Sequence, residues 1–142
     1  MRSPLRKFIL FALIVATCGI AVAFVVHDRS PVALAVVSME GPSDSPVARC
    51  EIRNRGDKPI EFTINSIDQR PCYHRLEWSG RSWRRVLWVA ECGMDAQARI
   101  LSPGQTFSFT ASIIDTSQPI RLAVSYRLDG ADLTASSKTI YP

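Results

Sequence analysis

The sequence has few of the residues that catalysis requires. Only two histidines occur in 142 residues, His27 and His74, so a Ser–His–acid triad would have to be built on His74. The motif G-x-S-x-G is absent, and no glycine-rich loop of the phosphate-binding kind is present. These absences argue against the common hydrolases and nucleotide-binding enzymes, and we expect the protein not to be an enzyme.

Metal ligands are also scarce. No C-x-x-C pair occurs, which removes the commonest zinc-binding pattern. Cys72, His74 and Cys92 could in principle hold zinc or copper with Met94 nearby, but a blue-copper site needs a second histidine near the cysteine, and none follows Cys92. We therefore expect no metal and no cofactor.

The sequence also lacks the strong positive charge of a nucleic-acid-binding domain. The formal net charge is +4, but Arg2, Arg6 and Lys7 precede the apolar run at residues 8–26. Beyond that run, 14 Lys and Arg face 13 Asp and Glu, a net charge of +1. A domain that binds nucleic acid is strongly basic, so we expect no nucleic-acid partner.

Residues 8–26 form the one long apolar stretch, nineteen residues without a charge. As a helix this stretch spans about 28 Å, close to the thickness of a bilayer's hydrocarbon core. The positive-inside rule keeps the preceding cations in the cytoplasm. We predict a cytoplasmic basic tail (1–7), a transmembrane signal anchor (8–26), a linker (27–31) and a domain in the periplasm or extracellular space (32–142).

Two other interpretations of this stretch stay open. A cleaved signal peptide would use Ala21-Val22-Ala23 as its cleavage site. A lipoprotein would attach its lipid at Cys18, although Thr17 before the cysteine fits such a site poorly. All three interpretations place the following domain outside the cytoplasm.

From residue 31 onward, apolar and polar residues alternate between closely spaced turns, which is typical of β-strands. We predict strands at 32–38, 47–54, 60–67, 106–114, 120–128 and 134–141, and a hairpin around Ser79-Gly80. Asp129-Gly130 is a strong signal for a two-residue hairpin loop.

This strand spacing predicts the fold class. Seven to nine short strands in about 110 residues indicate an all-β, two-sheet β-sandwich of immunoglobulin or fibronectin type after one N-terminal transmembrane helix. The inward faces of four strands should carry alternating apolar residues: Ala48, Cys50 and Ile52; Ile60, Phe62 and Ile64; Phe107, Phe109, Ala111 and Ile113; and Ile120, Leu122, Val124, Tyr126 and Leu128. On the last of these strands, Arg121 should face outward.

Residues 70–92 have an unusual composition, because they hold all three tryptophans and two cysteines. Between residues 70 and 85, five arginines face a single acid, Glu77. A mixture of Trp and Arg is typical of an interaction surface. The candidate binding residues are Arg75, Trp78, Arg81, Trp83, Arg84, Arg85 and Trp88.

A structural interpretation of the same segment also stays open. One or two of the tryptophans would fill the core, and the arginines would form a solvated sheet edge that discourages aggregation.

Cysteines outside the cytoplasm are read as candidates for disulfides. With Cys18 in the apolar run, the odd number that remains allows one intramolecular bridge. We favour Cys72–Cys92, which closes a loop of about 20 residues and stabilises by roughly 3 kcal/mol. Cys50 should then be a buried thiol.

The function that fits best is an interaction or accessory module at the membrane, bound to a protein partner or acting as a subunit of a larger membrane complex. An anion- or metal-binding module centred on His74 and the 70–92 segment is the alternative, and a cryptic enzyme is the third class.

Overall fold

The computed structural model describes residues 30–43, 45–86, 95–113 and 117–141. This part of the chain is all-β, with nine strands and no helix. The strands are β1 (Val32–Glu40), β2 (Val47–Asn54), β3 (Ile60–Asn65), β4 (Tyr73–Trp78), β5 (Trp83–Val86), β6 (Ala96–Leu101), β7 (Thr106–Ser112), β8 (Ile120–Leu128) and β9 (Ala131–Ser136).

The strands form two antiparallel sheets. The smaller sheet has the order β1-β2-β7, and the larger has the order β5-β4-β8-β3-β6 with β9 paired to β8. Ala123 and Val124 pair with both β4 and β9, so these two strands lie on opposite edges of β8. Tyr126 and Arg127 of β8 pair with β9 on one side and with β3 on the other. β3 therefore lies along the same edge of β8 as β4.

The two sheets pack face to face around one apolar core. The rings of Phe62 on β3 and Phe107 on β7 lie edge to face, with centroids 5.3 Å apart. Tyr73 on β4 packs against Phe109 on β7, with centroids 5.9 Å apart. Contacts between aromatic rings add about 0.5–1.5 kcal/mol to the free energy gained by burying their area.

The predicted inward faces of four strands are confirmed. Ala48, Cys50 and Ile52 on β2 are buried, as are the predicted inward residues of β3. On β7 and β8, the predicted inward residues are buried or packed against the core. The alternation predicted these faces because each side of these strands meets a different environment, core or solvent.

The hairpin predicted at Asp129-Gly130 is also confirmed. Leu128 pairs with Ala131 across a two-residue loop, and both loop residues have positive φ, 52° and 80°. This is the backbone that a type I′ turn needs and that Asp-Gly adopts readily.

Several predicted strand bounds were wrong, and one strand was missed. β1 ends at Glu40 rather than 38, β3 at Asn65 rather than 67, β7 at Ser112 rather than 114 and the last strand at Ser136 rather than 141. The last strand starts at Ala131 rather than 134, because the two-residue turn brings the chain straight back onto β8. The strand β6 was not predicted. Five of its six residues are exposed on a sheet edge, so it lacks the apolar alternation that marks a half-buried strand.

The predicted tail and anchor, together with residues 27–29 of the predicted linker, lie outside the described residues. Among the residues that the structure describes, no helix has the length and apolarity needed to cross a bilayer.

Candidate interaction surface on the β4–β5 hairpin

The hairpin predicted around Ser79-Gly80 joins β4 to β5. Trp78 pairs with Trp83, and Ser79 N–H donates to the carbonyl oxygen of Ser82 at 3.0 Å. Gly80 therefore holds the first position of a two-residue loop, with φ of 84°. A type II′ hairpin turn requires positive φ at this position, which glycine adopts without strain.

The base of the hairpin is fixed to the core by Tyr73. Its ring packs on Phe109, and its hydroxyl oxygen accepts a hydrogen bond from Ser112 N–H at 3.2 Å. The side chain of Tyr73 is buried, so this first residue of β4 lies on the inner face of its sheet. Burial raises the pKa of this phenol above its usual value, and it stays protonated near neutral pH.

Strand alternation divides the predicted patch between two faces. Arg75 and Glu77 share the inner face with Tyr73 because they are two and four residues further along β4. Directly paired residues on antiparallel strands share a face, so Arg84, opposite Glu77, also lies on the inner face.

The outer face carries five other residues of the two strands. His74, Leu76 and Trp78 lie there on β4, with Trp83 and Arg85 of β5 opposite Trp78 and Leu76. The tryptophans and arginines predicted as one surface therefore fall on both sides of the sheet.

Two tryptophans and one arginine form a contact cluster on this outer face. The Trp78 and Trp83 rings lie 5.4 Å apart at an interplanar angle of 54°. The Arg121 guanidinium lies 4.3 Å from the Trp83 ring centroid, and its Nε donates to Thr139 Oγ1 at 3.1 Å. We call Leu76, Trp78, Trp83, Arg85 and Arg121 the Trp–Arg face.

Neither tryptophan of this face belongs to the core cluster. Trp78 is 36% exposed, and Trp83 is half-buried. The structure therefore differs from the expectation of core tryptophans for the two that it describes. Sheet order is the reason, because β5 is an edge strand and the outer face of its sheet has no second layer among the described strands.

Arg75 plays a different part from the other arginines. Its side chain is nearly buried, and its Nη2 lies 2.7 Å from Glu77 Oε1. Arg84 and Arg85 are exposed on the two faces of β5, and Arg81 is exposed in the loop. These three exposed arginines are the ones that a partner can reach.

His74 is half-buried on the outer face. Burial lowers the pKa of its imidazole below 6.5, and the charge of Arg85 lowers it further. The imidazole is therefore neutral near pH 7, and the positive charge of this face comes from arginine.

The described cysteines have separate roles. Cys72 is disulfide-bonded, whereas Cys50 is a free thiol in the core whose pKa burial raises to about 11. The prediction of a buried Cys50 thiol is confirmed. Cys92 lies outside the described residues, as does Trp88, so the Cys72–Cys92 pairing stays a prediction.

Within the described ranges, no group of three or more His, Cys, Asp or Glu side chains is placed to hold a metal ion. As a disulfide sulfur, Cys72 has no thiolate to offer a metal.

The hairpin tip lies beside the start of β8. Trp78 N–H donates to the carbonyl oxygen of Pro119 at 3.0 Å, and Glu77 pairs with Ile120. Ile120 is the first residue of β8, and Pro119 directly precedes it.

The start of β1 lies at the other end of β8. The carbonyl oxygen of Pro31 accepts hydrogen bonds from Arg55 and Gly56 N–H at 2.7 and 3.1 Å. The same loop carries Lys58, whose Nζ lies 2.7 Å from Asp129 Oδ2, just after β8. Since β8 has nine residues, about 30 Å separates the two ends.

The comparisons with known proteins name no family. No protein-family model matches the chain, and no curated protein matches it. One solved structure with a similar region is the crystal structure of a GH20 exo-β-N-acetylglucosaminidase from Vibrio harveyi in complex with N-acetylglucosamine. That likeness has 14% sequence identity and a TM-score of 0.30, and it covers 75% of this chain and 17% of that enzyme. At this TM-score it supports no inference about function.

Proposed function

We propose that the protein is a membrane-anchored, extracytoplasmic β-sandwich of immunoglobulin or fibronectin type that serves as an interaction or accessory module. Its partner is a protein, bound through the Trp–Arg face and the exposed arginines of the β4–β5 hairpin, and the module acts as a subunit of a larger membrane complex. The proposal combines the apolar run at residues 8–26 with the composition and geometry of the β4–β5 hairpin.

The observation that carries the proposal is the Trp78–Trp83 pair on the outer face, with Trp78 exposed and the Arg121 guanidinium over the Trp83 ring. Trp and Arg are the residues that most often dominate the free energy of protein–protein binding. Here the Trp83 ring contacts both Trp78 and Arg121, and Arg121 donates a hydrogen bond to Thr139. A surface ordered before its partner arrives loses less conformational entropy on binding, which favours affinity.

The competing explanation is that the hairpin is only a solvated edge. Charged side chains on an edge strand discourage aggregation, and the exposed Arg84 and Arg85 would suffice for that purpose. Edge protection does not need two tryptophans on the adjoining outer face. The aromatic pair therefore favours recognition.

The experiment is co-purification of a C-terminally tagged full-length chain from membranes in mild detergent. We compare the wild type with the triple variant Arg81→Gln, Arg84→Gln, Arg85→Gln. The matched control is the triple variant Arg49→Gln, Arg53→Gln, Arg55→Gln, which removes the same charge. These control arginines are also exposed, on β2 and directly after it.

A stoichiometric partner should co-purify with the wild type and the control but be lost from the hairpin variant, and more so at higher salt. Equal recovery with all three chains would show that the hairpin is a solvated edge. Loss with both triple variants would show a general effect of charge rather than a site.

A further inference from the structure

Among the strands that the structure describes, β5 is an edge strand of the larger sheet, and we call its outer side the open edge. It pairs with β4, and no described strand lies on its other side. The strand is Trp-Arg-Arg-Val, with neither proline nor bulge to block pairing. Such an edge can accept an extended segment from another protein as an added strand.

The hydrogen-bonding pattern of the hairpin identifies the groups that this edge offers. Because Trp78 N–H bonds to Pro119, the backbone polar groups of Trp78 point towards β8. Trp78 and Trp83 are therefore a non-hydrogen-bonded pair, and so are Leu76 and Arg85 two positions along. The N–H and C=O groups of Trp83 and Arg85 consequently point to the open edge.

The side chains along this edge select the charge of the incoming segment. Arg84 lies on the inner face and Arg85 on the outer face, so both faces of the edge are positive. Residues 70–85 carry a net charge of +4, and the rest of the predicted exported region carries −3. Opposite charges on directly paired residues stabilise a sheet, so acidic residues opposite both arginines fit best.

The same arginines disfavour pairing between two copies of this chain. A two-fold antiparallel β5–β5 pair centred on Arg84 or on Arg85 places that arginine directly opposite the same arginine of the other copy. Like charges directly opposite each other destabilise a sheet. The edge therefore disfavours self-association and favours an acidic segment.

The groups that the edge offers favour a protein over lipid headgroups. Its backbone N–H and C=O groups repeat at the spacing of a strand, which an extended peptide matches and a headgroup does not.

We propose that the open edge of β5 binds an extended acidic segment of the partner protein as an additional antiparallel strand. This inference rests on the proposed interaction function and specifies the partner's chemistry and its mode of binding. The backbone of Trp83 and Arg85 supplies the pairing groups, and Arg84 and Arg85 hold the acidic side chains.

The test uses the full-length chain in detergent micelles and a fluorescein-labelled hexapeptide, Thr-Val-Glu-Glu-Tyr-Thr. Paired antiparallel, its tyrosine lies opposite Trp83 and its two glutamates opposite Arg84 and Arg85. Fluorescence anisotropy should show saturable binding. Replacing both glutamates by lysine should weaken it at least about tenfold, which is about 1.4 kcal/mol.

Two N-methylated isomers of the peptide separate strand addition from simple charge attraction. Methylating the tyrosine and first-glutamate nitrogens blocks the N–H groups that point to β5, because these residues oppose Trp83 and Arg85. Methylating the valine and second-glutamate nitrogens blocks the far edge instead. We expect at least about tenfold weaker binding for the first isomer and less than about threefold for the second.

Protein variants complete the test. Arg84→Gln, Arg85→Gln should lose peptide binding, and the matched pair Arg49→Gln, Arg53→Gln should keep it. Equal binding of the two methylated isomers would overturn strand addition, while co-purification could still support the interaction function. Binding to anionic phosphatidylglycerol vesicles that depends on Arg84 and Arg85, with no peptide binding, would overturn the protein segment as the occupant.

Discussion

In β2, β3, β7 and β8 the predicted inward residues are apolar and are buried or packed against the core, whereas in the β4–β5 hairpin both faces carry charged or aromatic side chains. Both regions follow the two-residue repeat of a strand. In the first region the repeat separates core from solvent. In the second it places Arg75, Glu77 and Arg84 on one face and Trp78 and Trp83 on the other. The comparison suggests that one region stabilises the fold and the other presents a binding surface.

The largest effect on stability should come from truncating the core region. Phe109 is 6% exposed and packs on Tyr73. Phe109→Ala should lower the free energy of unfolding by about 3–5 kcal/mol, measured by denaturant unfolding of the full-length chain in micelles. Trp78→Ala, an equally aromatic truncation on the hairpin, should cost less than about 1.5 kcal/mol. Similar losses for the two variants would remove the distinction between the regions.

The inward faces of β2, β3, β7 and β8 were predictable because apolar and polar residues alternate along each of these strands. Ala48, Cys50 and Ile52 alternate with charged residues, and no long-range information is needed to read this. The Asp129-Gly130 turn was predictable for a local reason as well, its backbone preference.

The composition of the Trp–Arg face could be predicted only in part. Trp78 and Trp83 were identified because they are close in sequence, but Arg121 was missed because its contact with Trp83 depends on β8 lying beside β4. Alternation did place Arg121 on an outer face. The neighbours of Arg121 on that face are set by the order of the strands in the sheet. This order depends on how the whole chain packs.

The next largest effect should come from the predicted disulfide that brackets the hairpin. The double variant Cys72→Ser, Cys92→Ser should lower the free energy of unfolding by roughly 2–4 kcal/mol, because the unfolded chain regains the entropy of a loop of about 20 residues. It should also weaken partner binding more than Cys50→Ser does, since Cys50 is a free core thiol. Non-reducing peptide mapping checks the pairing, and a Cys50–Cys72 or Cys50–Cys92 linkage would contradict it.

A smaller effect is expected from Trp83. Trp83→Ala removes the contacts with Trp78 and Arg121, and it should lower the free energy of unfolding by about 1–2 kcal/mol. Partner recovery should fall much further than stability. The control Trp83→Phe keeps an aromatic ring on the edge and should retain most of the stability. A loss of stability with unchanged partner binding would make the tryptophan a structural residue.

The smallest effect concerns pH. The pKa of His74 is lowered in the folded protein, so the unfolded chain binds more protons as the pH falls below about 6.5. The stability that neutral His74 contributes is present above that pH and is lost as the pH falls through the folded pKa. Unfolding at pH 7.5 and 5.5 should show a smaller decrease for His74→Gln than for the wild type. An identical decrease would mean that other groups cause it.

Site-specific photo-crosslinking in the membrane tests the binding role of the hairpin most directly. In one full-length variant, a photo-reactive benzoylphenylalanine replaces Trp78 on the Trp–Arg face. In a second variant it replaces Arg53, which is exposed on the outer face of the smaller sheet. The account predicts a discrete crosslinked species from position 78 and none from position 53. No discrete species from position 78, or the same species from both positions, would contradict the assignment of the hairpin as the binding surface.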